Sequence, residues 1–287
     1  MIPFSSKADP PSLGTKKLRV IQHGHDSFLH TLRSLWENRE LLFILTSREV
    51  SLRYRQTALG VTWVILQPLL ASAVFTVVFG LFLNAPSDDV SYPLFTFAGL
   101  LPWGVFSQSL QKAGISLLRE IRLITKIFFP RVIIPVATIF ATLVDFSVSL
   151  ILLLILMPLF GAEYSINLLV IPLLLLITLL FSIGLGVLFA SITVFYRDFM
   201  YVTPFVIQVW LYASPLVYSA SIVPPAFRWV YDVNPMVGVI SGFRWAVFAG
   251  LQFPAISLAY STVVSLIVFV AGILVFNRFE RKFADVI

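Results

Sequence analysis

Cysteine is absent from the chain, and with it go disulfides, thiol nucleophiles and cysteine-held metal. Histidine is nearly absent: His23, His25 and His30 are the full complement, and two neighbouring ligands without a third or a carboxylate frame do not build a metal site. Asp88-Asp89 lies in a short polar turn with no histidine or basic cluster beside it, so it reads as a solvated turn and not as a metal-dependent transferase centre. The pattern G-x-x-x-x-G-K-[ST] occurs nowhere. The chain therefore lacks a phosphate loop of its own, and if its work is ATP-driven, a second polypeptide must bind the ATP and Mg²⁺. Charge is scarce too, with Asp, Glu, Lys and Arg making 12% of the 287 residues. No catalytic residue, metal or cofactor is expected on this chain.

What fills it instead is apolar: 59% hydrophobic residues and a mean hydropathy of +0.94. Five stretches, residues 59–83, 93–110, 166–195, 199–218 and 253–276, carry no charge, and a sixth, 132–160, is interrupted only by Asp145. A helix crosses the ~30 Å hydrocarbon core with about 20 residues, so each stretch suffices. A soluble fold would have to bury all six and would be left with almost no surface. The expected fold is an all-α membrane protein of six transmembrane helices. Six crossings place both termini on one side, and of the 20 Lys and Arg only Arg228 and Arg244 then lie opposite. Positive residues stay cytoplasmic, so both termini are expected there. The same topology accounts for the pI of 9.7 without a nucleic-acid partner.

Three segments follow. Residues 1–27 are polar, rich in Pro, Ser and Lys, and are expected to be a flexible cytoplasmic N-terminus without a cleavable signal. In residues 28–56, Leu32, Leu35, Trp36, Leu42 and Leu45 recur near helical spacing between Arg33, Glu37 and Arg39. This predicts an amphipathic helix along the cytoplasmic interface, with Arg48, Arg53 and Arg55 placed to meet headgroup phosphates or a cytoplasmic partner. Residues 57–287 form the membrane domain. Within it, 116–131 reads as a short charged cytoplasmic helix stopped by Pro130. Residues 219–254 are punctuated by Pro224, Pro225, Pro235 and Pro254. Their apolar pieces, 226–231 and 236–250, are too short or broken to cross, yet too hydrophobic for an aqueous loop. A re-entrant helical hairpin between helices five and six is expected, because backbone at membrane depth needs a protein or water lining.

Several motifs in order resemble one family. They are Leu59-Gly60, Trp63 and Pro68; Gly99-Leu100-Leu101-Pro102-Trp103 with Phe106; Leu123-Ile124, Lys126, Phe129-Pro130-Arg131 and Pro135. Further on come Tyr196-Arg197-Asp198, Gln208, Ser214-Pro215 with Tyr218, Asn234-Pro235, Phe243-Arg244 and the closing Phe283-Ala284-Asp285-Val286-Ile287. Over about residues 30–287 the chain resembles the permease subunit of type-2 ABC exporters, in the branch that exports O-antigen, capsular polysaccharide and teichoic acid. The resemblance implies a homodimer in a bacterial cytoplasmic (inner) membrane, paired with two copies of a separate ATPase and moving a lipid-linked glycan.

Candidate site residues fall into three groups. A coupling element must be a rigid cytoplasmic protrusion that docks on the motor, and Arg119, Glu120, Arg122, Lys126 and Arg131 stand in the segment best placed for it. A sugar polymer offers apolar C–H faces to aromatic rings and hydroxyls to polar side chains. Spans one and five supply that mixture through Trp63, Gln67, Tyr201, Gln208, Trp210 and Tyr212. Trp and Tyr gather at bilayer interfaces regardless, whereas Gln67 and Gln208 need partners or water in hydrocarbon. Arg244 at depth requires an anionic or carbonyl partner; Asp232 is close in sequence, and Asn234-Pro235 can cap the helix that carries it. These four read as a clamp on an outer gate, with a site for substrate phosphate as the alternative.

Asp145, the one acid at mid-span depth, reads either as a proton-coupling site or as the partner of a neighbouring helix; without an intramembrane His, Lys or Arg no relay is visible. Two other classes compete. An ion-coupled carrier needs several intramembrane ionisable groups, and a membrane glycosyltransferase needs acid/base or metal-binding groups gathered at one face. The sequence supplies neither pattern. An ABC exporter of a drug or small lipid is set aside by the resemblance alone.

Overall fold

A computed structural model of the chain describes residues 28–54, 61–127, 129–280 and 282–283. The expected flexible segment 1–27, and Arg55, Leu59-Gly60 and residues 284–287, lie outside the described residues. Every regular element among the described residues is helical.

The segment expected as one amphipathic helix is two, α1 (Phe28–Glu37) and α2 (Arg39–Tyr54). They meet at Asn38, whose Nδ2 donates to Ser34 O at 2.7 Å and closes the last turn of α1. Leu29, Trp36 and Phe43, seven residues apart, are all exposed. On the other side Leu45 is buried against Ile133 and Ala137, and Thr31 exchanges hydrogen bonds of 3.1 and 2.8 Å with Asn277.

α3 (Val61–Phe75) runs without a break into π-helical turns at Thr76–Phe82. α4 (Tyr92–Arg119) starts with Pro93 in its first turn and continues past the apolar stretch for 28 residues, about 42 Å. The six-residue α5 (Ile121–Lys126) follows, then α6 (Ile133–Phe140) and α7 (Thr142–Leu159). A 3₁₀ turn at Ile166–Val170 leads into α8 (Ile171–Phe195), which is joined by a short turn to α9 (Phe199–Tyr212). The segment expected as a helical hairpin holds α10 (Pro225–Asp232) and α11 (Pro235–Val247), and α12 (Ala255–Glu280) closes the bundle.

Among the described residues, four helical runs are long and apolar enough to cross a membrane: Thr62–Phe82, Ile133–Leu159, Ile166–Phe195 and Ala255–Glu280. α4 has the length, but proline, glycine, serine and glutamine dilute its charge-free stretch 93–110. α9 differs from the expected span 199–218. With 14 residues it covers about 21 Å, short of the ~30 Å core. Its end is set locally: Ser214 Oγ donates back to Trp210 O at 2.9 Å, and Pro215 disfavours helix at Ser214.

α4 and α8 form the centre, α4 packing on α8, α6, α7 and α11, and α8 on α12. Lipid gives helices no hydrophobic reason to associate, so close van der Waals fit must hold them. Gly184 and Gly272 permit it between α8 and α12, since a Cβ on Gly272 would lie 2.1 Å from Gly184 O. Aromatic rings fill the middle: Phe106 stacks on Phe181 at 5.1 Å, and Phe146 meets Phe243 edge-on at 5.9 Å. α11 is buried along most of its length, whereas Phe227, Trp229 and Val230 of α10 are exposed. One end of the bundle gathers α1, α2, α5 and the C-terminal ends of α4 and α12; the other gathers the 84–91 turn, residues 213–223 and the start of α11.

Candidate functional site

A cavity of about 550 Å³ opens between α3, α4 and α7. α4 contributes one face at helical spacing: Gly104, Ser107, Gln108, Gln111 and Lys112. α3 brings Trp63 and Gln67, and α7 brings Thr142, Asp145 and Ser149. In hydrocarbon such polar groups need partners or water, and here they face a common space.

Asp145 anchors its basic end. Arg53 donates to one carboxylate oxygen and Tyr54 Oη to the other, while Lys112 Nζ stands 3.9 Å away and donates to Gln108. Asp145 is thus the partner of groups on neighbouring helices, the second of the two readings its sequence left open. Its partners come from segments read as cytoplasmic. α4 continues as helix through Lys112, and α2 ends beside Asp145 in the first turn of α7. Burial, then the bond and charge of Asp145, push the Tyr54 phenol up to about 12, so it stays a neutral donor.

α2 also grips the α4–α5 junction. Arg48 pairs with Glu120, and Arg119 lies 4.0 Å from Glu49. Glu120, expected to face a partner, is therefore engaged within the chain. Arg131 donates to Glu280 through its backbone N–H at 3.0 Å and its guanidinium at 2.9 Å, so it ties the start of α6 to the end of α12. Arg119, Arg122 and Lys126 are the exposed members of that set.

At the opposite end Arg244 is 4% exposed, and its guanidinium hydrogen-bonds to carbonyls rather than to an acid. Nε donates to Phe95 O at 3.1 Å and Nη2 to Leu216 O at 2.8 Å. The guanidinium lies 3.4 Å above the Phe95 ring centroid. Gly99 makes room for it, since a Cβ there would come within 2.9 Å of Nη2. The partner is thus carbonyl and aromatic. Asp232, the acid close in sequence, accepts instead from Ser257 Oγ at 2.7 Å, which links α10 to α12.

Asn234 caps α11 as its sequence predicts, accepting from Met236 N at 3.0 Å with Pro235 in the first turn. It also accepts from Trp210 Nε1 at 2.9 Å and donates to Ala213 O and Ser214 Oγ, both at 3.0 Å. The unwound end of α9 is thereby fastened to α11, and this unwinding frees Leu216 O for Arg244.

The six residues expected along a substrate path separate. Trp63 and Gln67 line the cavity. Trp210 packs edge-on against Phe106 and Phe181. Tyr201, Gln208 and Tyr212 are exposed on α9, away from the cavity. Cavity residues missing from the sequence-based set include Arg53, Trp103, Gly104, Ser107, Gln108, Gln111, Lys112, Thr142 and Ser149. A signal for most of them was present: polar or small residues at 104, 107, 108, 111 and 112 form a stripe of helical period.

Comparison with known proteins finds relatives along nearly the whole chain. The chain is 26% identical over 250 residues to the O-antigen export system permease protein RfbA of Klebsiella pneumoniae, covering 86% of this chain and 95% of that protein. The protein of the same name from Myxococcus xanthus is 30% identical over 260 residues, 90% of this chain and 99% of that one. The polysialic acid transport protein KpsM of Escherichia coli is 26% identical over 249 residues, 84% of this chain and 93% of that one. The family model described as ABC-2 type transporter matches residues 40–248, from α2 to the bridge that pairs Tyr164 with Phe248, and the chain belongs to that family.

Proposed function

We propose that this chain is the permease subunit of an ATP-driven exporter that moves a lipid-linked polysaccharide outward across a bacterial cytoplasmic membrane. It acts as a homodimer of six-span subunits with both termini cytoplasmic, joined by two copies of a separate ATPase that bind the ATP and Mg²⁺. The observation that carries this reading is similarity over nearly the full length to permeases named for O-antigen export and polysialic acid transport. The geometry supports it. α4 and α6 converge on the short α5, with Arg122 and Lys126 exposed and α2 bound to the junction by two ion pairs. A motor docking there would move α4, which forms one wall of the cavity. The segment from α10 to α11, clamped through Asn234 and Arg244, closes the outer end as a re-entrant hairpin.

The test is co-purification with candidate ATPases, then ATP hydrolysis in nanodiscs with and without lipid-linked glycan. A stoichiometric complex whose hydrolysis responds to glycan is the expected result. A chain that binds no ATPase and moves glycan alone refutes the reading.

A further inference from the structure

Two helices run from the α5 end of the bundle to the end that holds α10 and α11, and they differ in stiffness. α4 reaches from Arg119 back to Phe95, whose carbonyl holds Arg244 of α11. It contains Pro102, which has no N–H for the helical ladder. It also borders the cavity, where a Cβ on Gly104 would meet nothing within 4 Å. α12 has no proline in its 26 residues, about 39 Å, and lines no part of that cavity. One of its faces is exposed, with Ile256, Val263, Ile267 and Leu274. The other is fitted closely to its neighbours.

α12 is pinned at both ends and in the middle. Ser257, in its first turn, donates to Asp232 of α10 at 2.7 Å, and both residues are buried. Beside them the backbone of α11 rests directly on α12, since a Cβ on Gly238 would lie 2.2 Å from Ser257 O and 2.3 Å from Ser261 Oγ. Midway, the contact of Gly272 with Gly184 leaves no room for α12 to approach α8 further. At the other end Arg131, just before α6, bonds both the side chain and the backbone of Glu280. Phe283 beyond it is fully buried and meets Phe195 and Phe276 at 5.8 and 5.6 Å. A displacement of residues 119–131 therefore reaches α12 through two hydrogen bonds and a ring cluster. α12 passes it to α10 and α11 through contacts that have no slack, and close-packed elements of this kind shift as bodies rather than deform.

We propose that α12 is a strut linking residues 119–131 to α10 and α11, with Glu280 and Ser257 as the positioning residues at its two ends. The proposal rests on the export reading only for what drives the strut, a motor docked on α5. The link itself is a property of the chain alone.

The test is hydrogen–deuterium exchange of the full chain in nanodiscs, without an ATPase. Glu280→Ala removes the acceptor of the Arg131 N–H and should speed exchange at residues 225–247, the far end of α12, by about two- to tenfold. Coupling between two sites is reciprocal, so Ser257→Ala should speed exchange across residues 120–134 by a similar factor. Glu280→Gln keeps an acceptor for Arg131 and should exchange as the native chain does. α7, across the cavity, is the control and should keep its native rate. If each alanine variant changes exchange only at its own end, the strut is refuted. It is refuted equally if α7 accelerates as much as the far end, because the effect is then general loosening. The measurement needs neither motor nor glycan, so its failure is separate from failure of the export reading.

Discussion

Two cationic centres stand at opposite ends of the bundle and are neutralised differently. Arg53 and Lys112 share a carboxylate beside a cavity, whereas Arg244 has carbonyls and a ring face and is sealed at 4% exposure. A carboxylate pair can be rearranged, because its cations keep surface that water or a ligand can solvate. Carbonyls of Phe95 and Leu216 move only if α4 or the 213–217 turn moves with them. The first arrangement suits a place where charge must respond, and the second suits a fixed clamp.

The largest expected effect comes from breaking the fixed centre. Arg244→Ala removes two charge-assisted hydrogen bonds and the ring contact and leaves a cavity beside Gly99, so a loss of about 3 kcal/mol is expected in thermal unfolding. Arg244→Lys keeps the charge but cannot span both carbonyls as the planar fork does. It should fall between native and Ala, and full stability and export in that variant would argue against a specific clamp. At the other centre Asp145→Asn leaves two cations facing each other. Their partial solvation limits the loss to about 2 kcal/mol, below the cost of breaking a sealed pair. Export should fall further than stability. If Asp145→Asn destabilises more than Arg244→Ala, the distinction between adjustable and fixed centres fails.

Glu120→Arg should change stability by less than about 1 kcal/mol, as expected for an ion pair at the surface, while lowering ATP-coupled export. Joint reversal with Arg48→Glu should restore coupling; export unchanged in the single variant would remove this junction from the mechanism. The smallest effect concerns Tyr54. Its phenol titrates near 10.0 unfolded and about 12 folded, so the unfolded chain loses the proton first and stability falls as pH rises from 10 to 12. Below pH 10 the contact is constant. Tyr54→Phe should show a shallower decline across that window, measured by denaturation at fixed pH values.

Much of the bundle was legible because lipid imposes length and hydropathy on any crossing helix. The break at Asn234-Pro235 and the two helices of the 225–247 region were legible from capping chemistry. The early end of α9 was less so. Phe199–Tyr218 is uniformly apolar, and only the back-bond of Ser214, the proline after it and the grip of Asn234 stop the helix at Tyr212. Asp145 was recognisable as unusual, but its partners lie 92 and 33 positions away in sequence, and no local pattern connects them.

Composition and order alone determined that this chain belongs in a bilayer, that it has no phosphate loop of its own, and that α11 starts at Asn234-Pro235. Those properties follow from local chemistry and from the solvent. Which polar residues face one another was decided by tertiary structure. A helix presents a different face every few residues, and only the packing of α4 against α3 and α7 turns Gln108, Gln111 and Lys112 toward Asp145 rather than toward lipid. The carbonyls that hold Arg244 are likewise available only because α9 unwinds beside α11.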